Sequence, residues 1–553
     1  MKKKIGVLLG STNSSWYLYE TIKALSDSGK VDIVYIVNSP VVSLSRWRKV
    51  RRIGVRGLLE KLLFKCIKVT EEIVLSKRDR NVDISRKTFD LSKFSDIPIV
   101  SIPPEFSPSG LVVRYSDTCV DRLLNLGLDI IIRGNAPGIF RGNILSASRQ
   151  GILSFHHGDN RWNRGGPPGF WEVYLRKSST GFVIQILSEE LDGGRVLFRG
   201  NVATKRTFTQ NKAALYAESN PELTRILLNY AETGNLPTQE AEIPYGGGLL
   251  VSPNAKQAIS YLFRTISLHL RVAWIRLVLK QKDRWGVAFI HSHWESASLR
   301  NGIEIANPPN RFLADPFVFS KNGRTICFVE DYCFLKKRGL ISAIELFENG
   351  NYTNLGPVIE EPFHMSFPYI FEFQSELYMI PETEEAESVR LYRCVDFPEK
   401  WEYQYDLLNG IKAVDTMVFE REGKWWLLTN TKNGPHMRHG SILSAYSSDS
   451  PVSQNWTAHQ QNPLVFNSEV GRNGGILKME EGSMVRVRQK QGFAYYGKSL
   501  SLARIDILND SEFKETTIAE VTANFFRDLD GNHHVHCHDH YTVYDYCRSQ
   551  RVT

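Results

Sequence analysis

Three groups of side chains in this sequence have types and spacings suited to chemistry. The first lies between Gly151 and Asp192. An apolar strand pattern ends at Ser154-Phe155-His156 and passes into a Gly/Pro-rich loop, Arg164-Gly-Gly-Pro-Pro168. A helix, a second apolar strand from Thr180 and an acidic turn, Leu191-Asp192-Gly193-Gly194, follow. Sites of open α/β sheets lie at the carboxyl ends of their strands, so His156 and the acidic turn are predicted to meet there. An imidazole titrating near pH ~6.5 can move protons, and the paired glycines allow a sharp turn and close approach of a ligand.

The second group is acidic: Asp315, Glu382 and Asp415 stand near the strand ends of successive hairpins. Two such carboxylates suffice for general acid and base at a glycosidic bond, but acidic residues at strand ends also bind sugar hydroxyls or cap turns. The third group is His533 to His540, in which His534, His536, His538 and His540 would share one strand face. A closing strand accounts for that run equally well, and no metal ligands are assigned.

The elements that must hold these groups fall into two patterns. Residues 1–236 alternate short apolar runs with helical segments, as parallel β-α-β units do. Ile5 to Leu9, Val31 to Val37 and Leu128 to Ile132 read as strands, and Tyr17 to Leu25 as a helix after the caps Ser14 and Ser15. Arg46 to Lys77 reads as a basic amphipathic insertion with a solvated face, an anionic surface or phosphate partner being the alternative. Residues 237–282 form a linker, through Gly246-Gly247-Gly248, and a connecting helix. In that helix Ile259, Leu262, Phe263, Ile266, Leu270, Trp274 and Leu277 make one stripe, expected to pack between domains, with an anionic membrane surface as the alternative. Residues 283–553 are all-β, with hairpins recurring at roughly the ~40–50 residues of a propeller blade. A fifth unit comes from Phe525 to Cys547, so a five-bladed propeller is expected.

Composition bounds the rest. A chain of 553 residues with 42% hydrophobic and 23% charged side chains is neither disordered, collagen-like nor a coiled coil. The net charge of +8 biases weakly toward anionic partners, and no basic-aromatic pattern indicates nucleic acid. Seven cysteines without repeated spacing read as free thiols in a reducing compartment. The opening Met1-Lys2-Lys3-Lys4 leads into a run shorter than the ~7–15 apolar residues of a secretion signal, and Ile259 to Leu279 carries three arginines that disqualify it as a span. A cytoplasmic location is expected. The oligomeric state is left open.

Residues 4–202 resemble the 10-formyltetrahydrofolate-dependent formyltransferase family. Ser154-Phe-His156 matches its Asn-x-His strand end, Arg164-Gly-Gly-Pro-Pro168 its Arg-Gly-x-x-Pro loop, and Leu191-Asp192-Gly-Gly194 its Leu-Asp-x-Gly turn. The resemblance implies a Rossmann-like formyltransferase domain in which a formyl group passes from 10-formyltetrahydrofolate to an amine without a metal. Ser154, His156 and Asp192 would be catalytic. Asn135, Ala136, Pro137, Ile139, Ser188 and Leu191 would bind the folate, and Gly10, Ser11, Asn13 and Arg164 the acceptor. One departure is that Ser154 replaces the family's asparagine and shortens an oxyanion donor.

Residues 285–547 resemble the N-terminal region of glucosamine inositolphosphorylceramide transferases and, more distantly, five-bladed propeller glycosidases. Leu313-Ala-Asp315-Pro-Phe, Glu330-Asp331, Ser366-Phe-Pro-Tyr, Pro381-Glu382-Thr, Val414-Asp415-Thr, Arg472-Asn-Gly-Gly475, Arg486-Val-Arg-Gln489 and Tyr496-Gly497 carry it. It implies sugar binding by Asp315, Glu382, Asp415 and Arg472. Together the resemblances lead to the expectation of a cytoplasmic N-formyltransferase acting on an amino sugar, nucleotide- or lipid-linked, in surface polysaccharide synthesis, with possible peripheral membrane contact. The alternatives are a glycan-binding accessory protein of glycosyl transfer whose first domain has lost formyl transfer, or a glycosidase with a regulatory first domain.

Overall fold

The computed structural model describes residues 2–39, 46–238, 240, 245, 247–432 and 440–551, with the side chains of all but 46–54. The chain forms two compact units, the first running to Leu268 and the second beginning at His269.

The first unit is built on seven strands: β1 (Lys3–Leu9), β2 (Val31–Asn38), β3 (Ile99–Ile102), β4 (Ile130–Arg133), β5 (Ile152–His156), β6 (Ser179–Ile186) and β7 (Arg195–Ala203). Their order in the sheet is β7-β6-β5-β4-β1-β2-β3. The pairs β1–β2, β1–β4, β2–β3 and β4–β5 are parallel, whereas β6 and β7 run antiparallel to their neighbours. Strand order reverses between β1 and β4, so the crevice at their carboxyl ends is where an open sheet takes a ligand.

Both faces of the sheet are covered, as the nearly continuous apolar strands require. Val7 and Leu9 of β1 pack with Leu18, Ile22 and Leu25 of α1 (Trp16–Asp27), while Leu8 between them packs with Val120 and Leu123 on the other face. Ser15 alone caps α1, its Oγ accepting the Leu18 N–H at 3.4 Å. Further helices are α2 (Arg46–Ser76), α3 (Asp117–Leu124), α4 (Phe170–Tyr174), α5 (Phe208–Thr233) and α6 (Ala255–Leu277). In α2 the side chains of Arg46, Arg48, Lys49, Arg51 and Arg52 lie outside the described residues, as does Gly246 of the predicted linker.

The stripe on α6 is exposed rather than covered: Phe263 retains 73% of its surface and Leu277 77%. Ala258 and Tyr261, on the opposite side of the helix, are the residues that bury.

The second unit consists of five antiparallel sheets, four with four strands and one with five. Their innermost strands, Arg311–Lys321, Ser366–Phe373, Ala413–Arg421, Asn473–Lys478 and Val535–His538, contact one another in turn, and the last contacts the first. This is a closed ring, the arrangement of a propeller. The ring closes within one sheet, where Gln281–His291 from the start of the unit pairs with Tyr541–Arg551 from its end. Each innermost strand is the end strand of its sheet, and the ring protects that edge from other chains.

Candidate functional site

The inner strands of the second unit share a local irregularity. Register shifts at Ala314/Phe317, Ser366/Tyr369, Val414/Met417 and Asn473/Ile476 mark a bulge in four of the five. Asp315 (φ 47°), Phe367 (φ 45°) and Asp415 (φ 51°) are left-handed at three of these bulges, and Gly475 (φ 118°) at the fourth. A left-handed residue with a side chain costs on the order of 1 kcal/mol, and bulges that carry one re-aim its side chain.

Two of the re-aimed side chains are carboxylates, and a third, Glu382, ends the strand Glu376–Glu382 beside the bulge residue Ser366. Asp415 is held by Arg472, whose Nε donates to Oδ2 at 2.6 Å, while Asn473 Nδ2 donates to the Asp415 carbonyl at 2.8 Å. The Arg472 guanidinium sits 5.0 Å above the Tyr496 ring. Asp545, fully buried, accepts the backbone N–H of His533 and of His534, each at 2.9 Å. His533 Nδ1 lies 2.5 Å from Asp545 and 3.6 Å from Asp315, and its ring stacks on Trp285 at 3.7 Å.

Burial and mutual repulsion set the charge state. Burial raises Asp315, with His533 opposing and Asp415 and Asp545 adding to the rise. Burial also raises Glu330 and Glu382, helped by neighbouring carboxylates. Burial works against the Arg472 cation, but Asp415 and other neighbours outweigh it. Carboxyls held partly protonated beside a fixed Asp415–Arg472 pair offer hydrogen-bond donors and acceptors together, which is what a polyhydroxyl ligand needs. Tyr496, 41% exposed, adds an aromatic face.

Asp315, Glu382, Asp415 and Arg472, the residues expected to bind sugar, lie here with Asp545 and His533, to which sequence reasoning assigned no such role, and with Tyr496, quoted above only for its resemblance. A signal existed for Asp545, an acid in the apolar strand Tyr541-Thr-Val-Tyr-Asp-Tyr. Arg486, quoted above for its resemblance, is structural: it pairs with Glu515 at 2.7 Å and donates to the Val470 carbonyl at 2.8 Å. The histidine run has a closing role. His536 Nδ1 accepts the Val318 N–H and His538 Nδ1 the Ser320 N–H, both at 3.3 Å, joining the fifth sheet to the first.

In the first unit His156 ends β5 and meets Asp192, as predicted from the strand pattern; Nδ1 lies 3.1 Å from Oδ2. Nε2, however, contacts the Asn163 carbonyl at 2.7 Å. Both partners are acceptors, an arrangement that favours the doubly protonated ring. Burial works to lower its pKa, yet the Asp192 hydrogen bond and charge, with the Asn163 carbonyl, raise it overall. Neither ring nitrogen is left for a substrate. Ser154 Oγ donates to the Phe155 carbonyl at 3.1 Å.

The expected binding loops are likewise tied to each other. Asn135 accepts the Gly10 N–H at 2.8 Å and donates to the carbonyls of Ser11 (3.0 Å) and Asn13 (2.8 Å). Ala136 is buried, Pro137 packs against Gly10, and Ile139 pairs with Val112 in a small separate sheet. Arg164 binds the Asn160 carbonyl at 3.0 Å, pairs with Glu190 and covers the Tyr245 ring at 4.7 Å. Ser188 Oγ accepts the Glu190 N–H at 3.3 Å, and Leu191 is half-buried.

With both sites described, known proteins can be set beside them. Residues 299–539 match the family described as glucosamine inositolphosphorylceramide transferase 1, N-terminal. The second unit is similar to that region. Curated relatives named glucosamine inositolphosphorylceramide transferase 1 are 32% identical over 214 residues (Arabidopsis thaliana) and 30% over 213 (Oryza sativa subsp. japonica). Each match takes in 38% of this chain, which spans 28% of the length of those relatives. Among solved structures, glycinamide ribonucleotide transformylase 1 from Symbiobacterium toebii is similar over 42% of this chain and 88% of its own, at 15% identity and TM-score 0.28. The GH43 BlXynB protein from Bacillus licheniformis is similar over 40% of this chain and 45% of its own, at 14% identity and TM-score 0.30.

These relatives correct the expected activity. They are named glucosamine inositolphosphorylceramide transferases, not folate-dependent formyltransferases. Formyl transfer to an amino sugar, 10-formyltetrahydrofolate as co-substrate and a place in polysaccharide synthesis are therefore withdrawn. The geometry gives a physical reason: the His156 ring is spent on Asp192 and Asn163, and Ser154 Oγ and the Asn135 amide are spent on backbone.

Proposed function

We propose that this chain is a glycan-binding protein of glycosyl transfer, with the sugar held at the inner strands of the second unit by Asp315, Glu382, Asp415 and Arg472. The observation that carries this reading is the pair of left-handed bulge aspartates, Asp315 and Asp415, set among carboxyls whose pKa burial raises. Strain of this kind is retained where a side chain must face a ligand. The similarity of residues 299–539 to the N-terminal region of glucosamine inositolphosphorylceramide transferase 1 supports a glucosamine-bearing headgroup as the ligand class. Arg472, paired with Asp415 and stacked on Tyr496, would orient the sugar ring, and the protonated carboxyls would donate to its oxygens.

Calorimetry with glucosamine and with glucosaminyl-inositol phosphate tests the reading. Saturable binding is expected, weakened at least about tenfold in Glu382→Gln, which loses a carboxyl O–H donor, and in Asp415→Asn, which loses the charge that holds Arg472. Glu382 is half-buried and outside the Arg472 ion pair, so its variant reports binding even if the Asp415 variant unfolds. Unchanged binding in Glu382→Gln, or no binding by folded wild type, overturns the proposal.

A further inference from the structure

The largest concentration of exposed apolar side chains lies on two helices away from the sites described. Of the large hydrophobic residues exposed among the described residues, about half belong to α2 or to the stretch from Ile259 to Leu279. Large exposed patches on soluble proteins mark interaction surfaces.

The face of α6 is continuous. Ile259, Phe263, Ile266, Leu270, Trp274 and Leu277 recur at spacings of three and four and are 49% to 77% exposed. The opposite side anchors the helix. Tyr261 is buried, its hydroxyl accepting the Phe208 N–H at 2.7 Å and donating to Glu71 of α2. Arg264 donates to the Tyr174 carbonyl at 2.9 Å. The apolar face is therefore presented outward by a helix fixed from behind.

Its charge is one-sided. Between Val251 and Lys282 the sequence has six Lys or Arg residues and no Asp or Glu. Arg271 and Arg276 are exposed and flank the apolar face at helical spacing. On α2, Val55, Leu59, Leu62, Val69 and Ile73 make a second exposed stripe, while Phe64 packs on Phe170 and Phe208. From residue 46 to 68 there are nine Lys or Arg against Glu60 alone, so these two stretches account for the positive charge of the chain.

We infer that α6, with α2 beside its root, lays its apolar face on the surface of an anionic phospholipid membrane. An aromatic and aliphatic face with cationic flanks is the pattern of a helix lying in the plane of a lipid interface. The apolar side chains enter the acyl boundary while the arginines meet headgroup phosphates. No helix among the described residues is long and apolar enough to cross a membrane, so the contact is made in the plane of the surface. A protein partner would need matching acidic groups, whereas an anionic bilayer supplies them over any length of helix.

The test is co-sedimentation of the full chain with vesicles of phosphatidylcholine alone and of phosphatidylcholine with about 30 mol% phosphatidylglycerol, whose anionic headgroup attracts cations near the surface. Binding to the anionic vesicles only is expected, falling as salt shortens the screening length. Phe263→Ser with Trp274→Ser should abolish it, and Arg271→Gln with Arg276→Gln should weaken it by about thirtyfold, at ~1 kcal/mol for each charge. These side chains are exposed, so unchanged thermal unfolding confirms that the variants fold. Equal binding by wild type and the Phe263/Trp274 variant overturns the inference. So does absence of binding to the anionic vesicles; self-association seen by sedimentation equilibrium and lost in that variant would then assign the face to a second copy.

Discussion

At the scale of single residues, the first unit turns on ionisable groups buried without access to a substrate. His156 and Asp192 form a charged pair with the imidazole 7% exposed. Removing one partner of a buried pair strands the other, so Asp192→Asn should destabilise the first unit by about 3–5 kcal/mol in urea unfolding. A raised histidine pKa contributes stability that is complete below the unfolded value near ~6.5 and lost as pH rises through the folded value. That loss on the alkaline side should flatten in Asp192→Asn. Glu172 is the converse case. It is fully buried, neither carboxylate oxygen has a hydrogen-bond partner among the described residues, and burial pushes its pKa up to about 7. Between its unfolded pKa and about 7 the folded state keeps a proton that the unfolded state has lost, so stability falls as pH rises through that window. Glu172→Gln should remove the fall, and the gap between the two unfolding curves should open by up to about 3 kcal/mol toward pH 8.

At the scale of elements, the bulges decide what the inner strands can do. Three accept a side chain in the left-handed region, but the fourth does not have the room. A Cβ on Gly475 would come within 2.3 Å of the Val535 carbonyl oxygen on the neighbouring inner strand, at φ 118°. Gly475→Ala should therefore push the fourth and fifth sheets apart and lower the denaturant midpoint by the equivalent of about 2 kcal/mol or more, the range of a forced backbone clash. Little of this was legible in the sequence. Alternation and turn residues marked the hairpins, because a half-buried strand must alternate. Nothing in the types Asp315, Phe367 and Asp415 announced one shared backbone irregularity. The α6 stripe was legible as a stripe, yet its spacing could not say whether another element covered it, since an interior face and a membrane-seeking face share one periodicity.

At the scale of the whole molecule, the second unit depends on closing its ring. His536 contributes by accepting a backbone N–H of the first sheet, which requires an unprotonated Nδ1. Burial, with His538 beside it, lowers its pKa to about 3. The unfolded chain binds a proton there that the folded ring does not, so stability is lost as pH falls from about 6.5 toward about 3. His536→Asn keeps an acceptor and cannot titrate. Calorimetric unfolding of that variant should show a shallower acid loss than wild type, and an identical loss in both would remove His536 as its source.

The sequence by itself determined the elements: parallel β-α-β units first, antiparallel hairpins after, a histidine at the end of β5 and an acid turn that reaches it. These follow from periodicity and turn chemistry, which act over a few residues. Tertiary structure alone decided what those residues are free to do. Hydrogen-bond partners distant in sequence occupy His156 and Asn135, ring closure gathers Asp315, Asp415 and Asp545 from strands far apart in the chain, and packing on Tyr261 turns the α6 stripe outward. A motif fixes which groups stand near one another, but satisfaction of buried polar groups is settled by the whole fold, and that determines which of them remain available to a ligand.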